Sequence, residues 1–302
     1  MKSLITLTAV LAAMLSVSAA ANALPLDTSV KPAVTSLSNP APKTGLYVGN
    51  SFTYYNCGLV GYVRGFAKAA GIPWRARQIT ISSGRLSYHP MAQYLAPHEL
   101  DPYAKGKVKD GKLTAPMFDV VFIQALSTEP IDAKSIPTWK KYLKSEVAEV
   151  KAAGSGPVVV VTWAKKDHPE DTKKLADSII SAANENGAAA LPVGLAFAEA
   201  HAGRPDINFY APDKRHPSAA GSYLYGSVAY SFLFHRSPEG LKFLGGCDKP
   251  LSEADAAYLQ SVAWKTVRAF YGWKSSGIHF RSTIIQQRGA ASLIASPLCH
   301  IH

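Results

Sequence analysis

Phe118–Ala125 (FDVVFIQA) is a nearly continuous apolar run that carries a polar side chain, Gln124, near its end. Eight residues is a strand's length, and the run is Val- and Ile-rich on both faces, so both faces need cover. A second run of the same character, PVVVVT, stands at 157–162. Between them, residues 138–152 set Trp139, Leu143, Val147 and Val150 along one face of a helix, with Pro137 suited to its start.

The alternation extends outward in both directions. Upstream, Gly45–Gly49 (GLYVG) reads as a short buried strand ending at Asn50-Ser51. Val60, Val63, Phe66 and Ala70 then follow at helical spacing, within 57–70, until Gly71-Ile-Pro73 stops them. Trp74–Ile81 reads as another strand, entering the turn Ser82-Ser83-Gly84, and 88–116 as an irregular excursion over the surface. Downstream come a helix at 171–186, a short strand at 188–193, and helices at 217–233 and 253–271. Buried strands alternating with helices imply an α/β fold, a three-layer sandwich around a five-stranded parallel sheet.

The ends differ in character. Lys2, the apolar run Leu4–Ala20 and Ala21-Asn22-Ala23 describe a cleaved secretory signal at 1–23, and hence a periplasmic or secreted protein. No later stretch is apolar for the ~20 residues that a bilayer span needs, so stable membrane insertion is not expected. Residues 24–43, rich in Pro, Ser, Thr and Ala, read as a linker. The folded domain is assigned to 44–275, and 276–302 to a weakly patterned tail.

The formal net charge of +11 favours encounters with anionic surfaces or polymers without specifying chemistry. Lys and Arg stand in small scattered groups with no aromatic-interleaved stripe, so nucleic acid is not an expected partner. The three cysteines, Cys57, Cys247 and Cys299, form no CxxC and no Cys/His cluster. In an oxidising compartment one pair could bridge, and the sequence does not choose which. It does not specify an oligomeric state either.

Ligands of an open parallel sheet bind at the carboxyl ends of its strands. That rule singles out Asn50-Ser51, Ser83-Gly84 and Gln124, together with the loop Asp213-Lys-Arg-His216 before a helix. A serine hydroxyl needs a base to become a nucleophile. His216 could supply one ring nitrogen, while Asp213, three residues earlier, holds the other. Candidate donors to a tetrahedral oxyanion are the amides of Ser51 and Gly84 and the side-chain amide of Gln124. Simpler readings stand beside these. Ser51 could cap a helix, Gly84 could supply a positive-φ turn, and Gln124 could satisfy buried backbone groups. Phe52, Tyr54 and Tyr55 could pack against a helix or line a pocket.

Four segments, GNSFTYYN at 49–56, ISSGRL at 81–86, VFIQALS at 121–127 and DKRHPSAAG at 213–221, resemble in order and spacing the four blocks of the SGNH (GDSL-type) hydrolases. The resemblance runs over residues 45 to about 235. It implies a flavodoxin-like sheet and cleavage of carboxylic esters, as in an esterase, lipase or deacetylase, without metal or other cofactor. It also implies Ser51 as nucleophile, Asp213 and His216 as the other triad members, and Gly84 as an oxyanion donor. A small ester or an acylated carbohydrate is then the expected substrate; no long apolar lid segment is evident, which points to a small acyl group such as acetyl. Two departures stand out. Asn50 replaces the usual Asp, and Gln124 stands where the third block has Asn, keeping an amide but adding a methylene. They motivate an alternative, a glycan-binding module of the same fold without turnover. A sugar O-acyltransferase would use the same triad.

Overall fold

The computed structural model describes residues 26–97, 101–246 and 249–274. The expected signal segment and the tail at 276–302 lie outside the described residues, as do Cys247 and Cys299. Along the chain run β1 (Thr44–Gly49), α1 (Ser51–Tyr54), α2 (Gly58–Ala69), β2 (Arg75–Thr80), α3 (Met91–Leu95), β3 (Val108–Lys109) and β4 (Lys112–Leu113). They are followed by β5 (Val120–Ile123), α4 (Ile136–Ala152), β6 (Gly156–Val160), α5 (Asp171–Glu185), β7 (Ala189–Leu191), α6 (Val193–Gly203), α7 (Ala219–Phe234) and α8 (Glu253–Tyr271).

Five strands form one parallel sheet in the order β2-β1-β5-β6-β7. Leaving out the β3–β4 hairpin, this is the 2-1-3-4-5 order of a flavodoxin-like fold. The order reverses beside β1, so the crevice for a ligand opens where β1 and β5 end. β5 is buried along its whole length, as its unbroken apolar run requires. At the sheet edge β2 is only half-buried, and its Arg77 is ion-paired with Asp101 at 2.6 Å. Charged side chains on an edge strand discourage pairing with other chains.

Helices cover both faces. α4 and α5 pack on β6, while α7 lies between α2 and α8. Residues 220–233 of α7 are all buried, which explains a helix apolar around its whole circumference. The expected elements appear within a few residues of their ends, and five more join them: the short α1, α3, β3 and β4, and the longer α6. α6 starts immediately after β7, where the strand-like run 188–193 hides the helix start.

Residues 26–43, within the segment expected as a linker, lie against the domain. Thr28 and Ser29 bind Asp177 of α5, Ala33 and the Lys31 carbonyl bind Asn184, and Asn39 and Lys43 bind Asp119 ahead of β5. The segment is a strap held by backbone and side-chain hydrogen bonds, a kind of tether that composition alone does not reveal. The surface excursion is real, but it carries the β3–β4 hairpin and α3.

Candidate active site

β1 delivers Ser51 to the sheet's carboxyl rim through a tight approach at Gly49. A Cβ at Gly49 would stand 2.7 Å from Gln124 Oε1 and 2.8 Å from Thr53 Oγ1. Asn50 caps the four-residue α1, its Oδ1 accepting from the Phe52 amide at 3.2 Å. Its Nδ2 donates to the carbonyls of Gly84 (3.1 Å) and Ala125 (3.2 Å), tying the strand ends of three blocks together. A carboxylate at 50 would face those two carbonyl oxygens with no proton to give. The departure from Asp therefore has a local cause.

The loop before α7 supplies the other two groups. Asp213 Oδ1 accepts from the amides of Arg215 and His216, each at 3.0 Å, and Lys214 takes a left-handed φ of 60° inside the turn. The ring Nδ1–H of His216 donates to Asp213 Oδ2. Its Nε2 then accepts from the Ser51 hydroxyl at 2.7 Å, across 165 residues of chain. Ser51 and His216 are buried, whereas the Asp213 side chain is 43% exposed. Desolvation pushes the Asp213 carboxyl up, but the bonds from the His216 ring and from the two amides outweigh it and hold it down at about 2. The carboxylate is therefore ionised at every pH where an imidazole titrates.

Trp163 anchors this loop, a role that its sequence position does not announce. It lies flat between Phe52 and Phe197, with ring centroids 4.4 Å from each, and its Nε1–H donates to the Arg215 carbonyl at 3.0 Å. The Tyr210 hydroxyl and the Lys166 amide fasten the same two loops together. Phe52 thus packs inside the protein and presents an edge to His216 at 5.6 Å. Tyr55 stacks on the His216 ring, and the Tyr54 hydroxyl donates to Ser82 Oγ at 3.2 Å.

Of the three expected oxyanion donors, Gln124 and the Gly84 amide have hydrogen bonds of their own. Gln124 is buried behind the nucleophile. Its Oε1 accepts from the Asn50 amide (3.2 Å) and the Thr53 hydroxyl (2.9 Å), and its Nε2 donates to the Ala125 carbonyl. Gln124 thus braces the backbone behind the nucleophile, with one of its two N–H donors engaged by the Ala125 carbonyl. The Gly84 amide donates to Ile81 O at 2.8 Å within its own turn. Positive φ in that turn belongs to Ser83 (52°). Gly84 is glycine because a Cβ there would meet Ile81 O at 2.8 Å. The Ser51 amide, at the start of α1, has no acceptor among the described hydrogen bonds.

Behind the 82–89 segment lies a second polar group that sequence reading missed. Arg85 pairs with buried Glu129 at 3.2 Å, and Glu129 also accepts from the Leu126 amide. Glu146 on α4 is buried, with neither carboxyl oxygen hydrogen-bonded. Burial, then the charges of Glu149 and Glu129, push its carboxyl up to about 9. Beside Trp163 a cleft of about 160 Å³ opens, lined also by Ser127, Thr128, Lys165 and His168. Among the described residues, no cluster of three or more His, Cys, Asp or Glu side chains is arranged to hold a metal ion. Nor is any helix among them long and apolar enough to cross a membrane.

No protein-family model matches the sequence, and no curated protein matches it. Solved structures do. A protein from Bacteroides uniformis, of the DUF4886 family, aligns with a TM-score of 0.53 at 17% identity, over 74% of this chain and 94% of its own. At that identity the likeness shows a shared fold. A protein from Slackia heliotrinireducens described as an SGNH hydrolase aligns at 25% identity and a TM-score of 0.48, over 63% of this chain and 98% of its own. An acetyl xylan esterase aligns at 14% identity and a TM-score of 0.47, over 62% and 98%. The solved structures that the chain resembles thus include SGNH hydrolases and esterases.

Proposed function

We propose that this chain is a serine hydrolase of the SGNH type that cleaves small carboxylic esters, with Ser51, His216 and Asp213 as its catalytic triad. One observation carries the reading. A buried serine hydroxyl stands 2.7 Å from an imidazole nitrogen whose other nitrogen is held by an ionised carboxylate. In a folded chain that arrangement lowers the barrier to removing the serine proton and stabilises the imidazolium that results.

In the reaction, Ser51 Oγ bonds to the ester carbonyl carbon as its proton passes to His216 Nε2. The tetrahedral intermediate then collapses, breaking the bond to the alcohol oxygen, which leaves with the proton from His216. Water repeats the attack on the acyl-serine with His216 again as base, and the carboxylic acid departs while Ser51 regains its proton. The developing oxyanion is held first by the Ser51 amide. For the Gly84 amide to act as a second donor, it must leave Ile81 O.

The proposed acyl group is small, such as acetyl on a carbohydrate; the cleft of about 160 Å³ beside Trp163 is lined by none of the three triad residues and does not bear on acyl length. The disulfide bond of Cys57 supports work in an oxidising compartment, in keeping with residues 1–23 acting as an export signal. With Asn50 and Gln124 both explained as structural ties, neither departure favours a module without turnover. Transfer to a sugar hydroxyl would use the same triad and would show as an acylated acceptor among the products.

The test is Ser51→Ala in the purified mature protein. Hydrolysis of p-nitrophenyl acetate should fall to background and fluorophosphonate labelling should vanish, with the circular dichroism spectrum unchanged. Turnover equal to the parent protein's would overturn the assignment.

A further inference from the structure

His216 has to stay aligned between Ser51 and Asp213 while it alternates between imidazole and imidazolium. Its two ring hydrogen bonds fix the ring in its own plane but leave its faces to the packing. Tyr55 covers one face, with centroids 4.1 Å apart and planes 3° from parallel. Phe52 meets the imidazole edge-on, at 5.6 Å and 75°.

The backbone that presents Tyr55 is unusual. Asn56, Cys57 and Gly58 follow with φ of 51°, 69° and 77°, three consecutive left-handed residues of which only one is glycine. Such conformations persist where their surroundings over-determine them, and they gather at functional sites. Every residue of the turn is fastened. Tyr54 binds Ser82. Asn56 Nδ2 donates to the Pro217 carbonyl (2.9 Å), next in chain to His216, and to Ser222 Oγ (2.8 Å) on α7. Cys57 is disulfide-bonded. At Gly58 a Cβ would stand 2.6 Å from Gln78 Oε1, so the turn also sits tight against β2. A helix-packing aromatic needs none of these ties. A ring that must lie parallel to an imidazole at a set height does.

We infer that Tyr55 is a positioning residue for the proposed reaction: held by the left-handed turn 56–58, its ring face stacks on His216, keeps the imidazole in line and favours its cationic form during proton transfer. This rests on the triad reading above and adds a residue to it. The π-face of a tyrosine attracts a cation lying over it. The imidazolium exists only while the proton is in transit, so the effect falls on turnover and not on substrate binding.

The experiment compares Tyr55→Phe, which keeps the ring face, with Tyr55→Leu, which keeps apolar bulk without it. Fluorophosphonate labelling of the parent protein, absent in Ser51→Ala, first establishes that the triad reacts. If that labelling fails, the hydrolase reading fails. With it in place, Tyr55→Leu should lower kcat by about 3- to 30-fold at unchanged KM, with Tyr55→Phe within about 2-fold of the parent. Phenylalanines carrying increasing fluorine at position 55 leave the fold alone if the leucine variant does not fold. They should lower kcat step by step as the face loses negative charge. Parent-level kcat in Tyr55→Leu, equal losses in the Leu and Phe variants, or a flat response to fluorine would overturn the inference while leaving the triad standing.

Discussion

At the carboxyl end of β1, Ser51, His216 and Asp213 pass hydrogen bonds from one to the next, whereas behind the neighbouring 82–89 segment Glu146 keeps two carboxyl oxygens with no partner. Both groups sit beside the same sheet and both contain a carboxyl, yet one ionises early and the other late. Asp213 has three donors and partial access to water, and is held at about 2. Glu146 has burial and two acidic neighbours, and is pushed to about 9. Burial and the supply of donors therefore act together here: Glu146 is deep and has no donor, whereas Asp213 is near water and has three. The rim is built for an anion, the interior beside α4 for a neutral acid.

The sharpest way to break that contrast is to remove the anion. Asp213→Asn should lower kcat by about 10²- to 10⁴-fold at neutral pH, because an amide cannot hold the imidazole in the required tautomer or stabilise its cation. Steady-state kinetics on an acetyl ester would check it, and a loss under about 5-fold would show that the carboxylate is dispensable.

Next in size is Asn50→Asp, which puts a carboxylate against the carbonyls of Gly84 and Ala125. The variant should lose about 2–4 kcal/mol of stability at pH 7 and recover part of it in acid, where the group can donate again. Urea denaturation at pH 4 and 7 measures both.

Glu146→Gln tests the opposite pole. A carboxyl that titrates near 9 when folded and near 4.5 when unfolded makes the protein lose stability as pH rises between those values, since only the unfolded state releases the proton there. Replacement by Gln should raise stability at pH 8 by roughly 1–3 kcal/mol and leave it nearly unchanged at pH 4. Asp213 runs the other way. Its depressed carboxyl contributes stability above its unfolded value of 3.8, and this is lost as pH falls through about 2. Thermal melts of parent and variant across pH 2–9 separate the two.

The smallest effect is expected from Trp163→Phe. This keeps most of the aromatic stack and loses the bond to the Arg215 carbonyl, so kcat should fall only about 2- to 10-fold as His216 loosens. A KM change without a kcat change would mean that Trp163 serves the cleft instead of the loop.

Much of the architecture is legible in the chain. β5 and β6 are buried on both faces, so their residues are apolar without interruption. α4 is buried on one face, so Trp139, Leu143, Val147 and Val150 recur at helical steps. Both patterns are local consequences of burial. α6 escaped because it begins immediately after β7 and its residues are apolar on most sides, leaving no change of period to read. The strap at 26–43 escaped because it is held by pairs of hydrogen bonds to Asp177, Asn184 and Asp119 and by a few half-buried apolar side chains, too few and too widely spaced to read as a strand or helix. Within the site, Ser51, Asp213 and His216 were readable as residue types at strand ends and in a loop before a helix. Trp163 and Tyr55 were visible only as aromatics, and Gln124 only as an amide.

By itself the amino-acid order determined that strands and helices alternate, where most of them lie, and that a hydroxyl, an imidazole and a carboxyl stand at positions suited to a strand rim. These follow from short-range periodicity and from the spacing of Asp213 and His216 within one turn. Tertiary structure alone decided that His216 meets Ser51 across 165 residues, that Gln124 and the Gly84 amide have hydrogen bonds of their own, and that Tyr55 lies flat on the imidazole. A hydrogen-bonding group takes whichever partner the packed sheet brings within about 3 Å, and no local pattern specifies that choice.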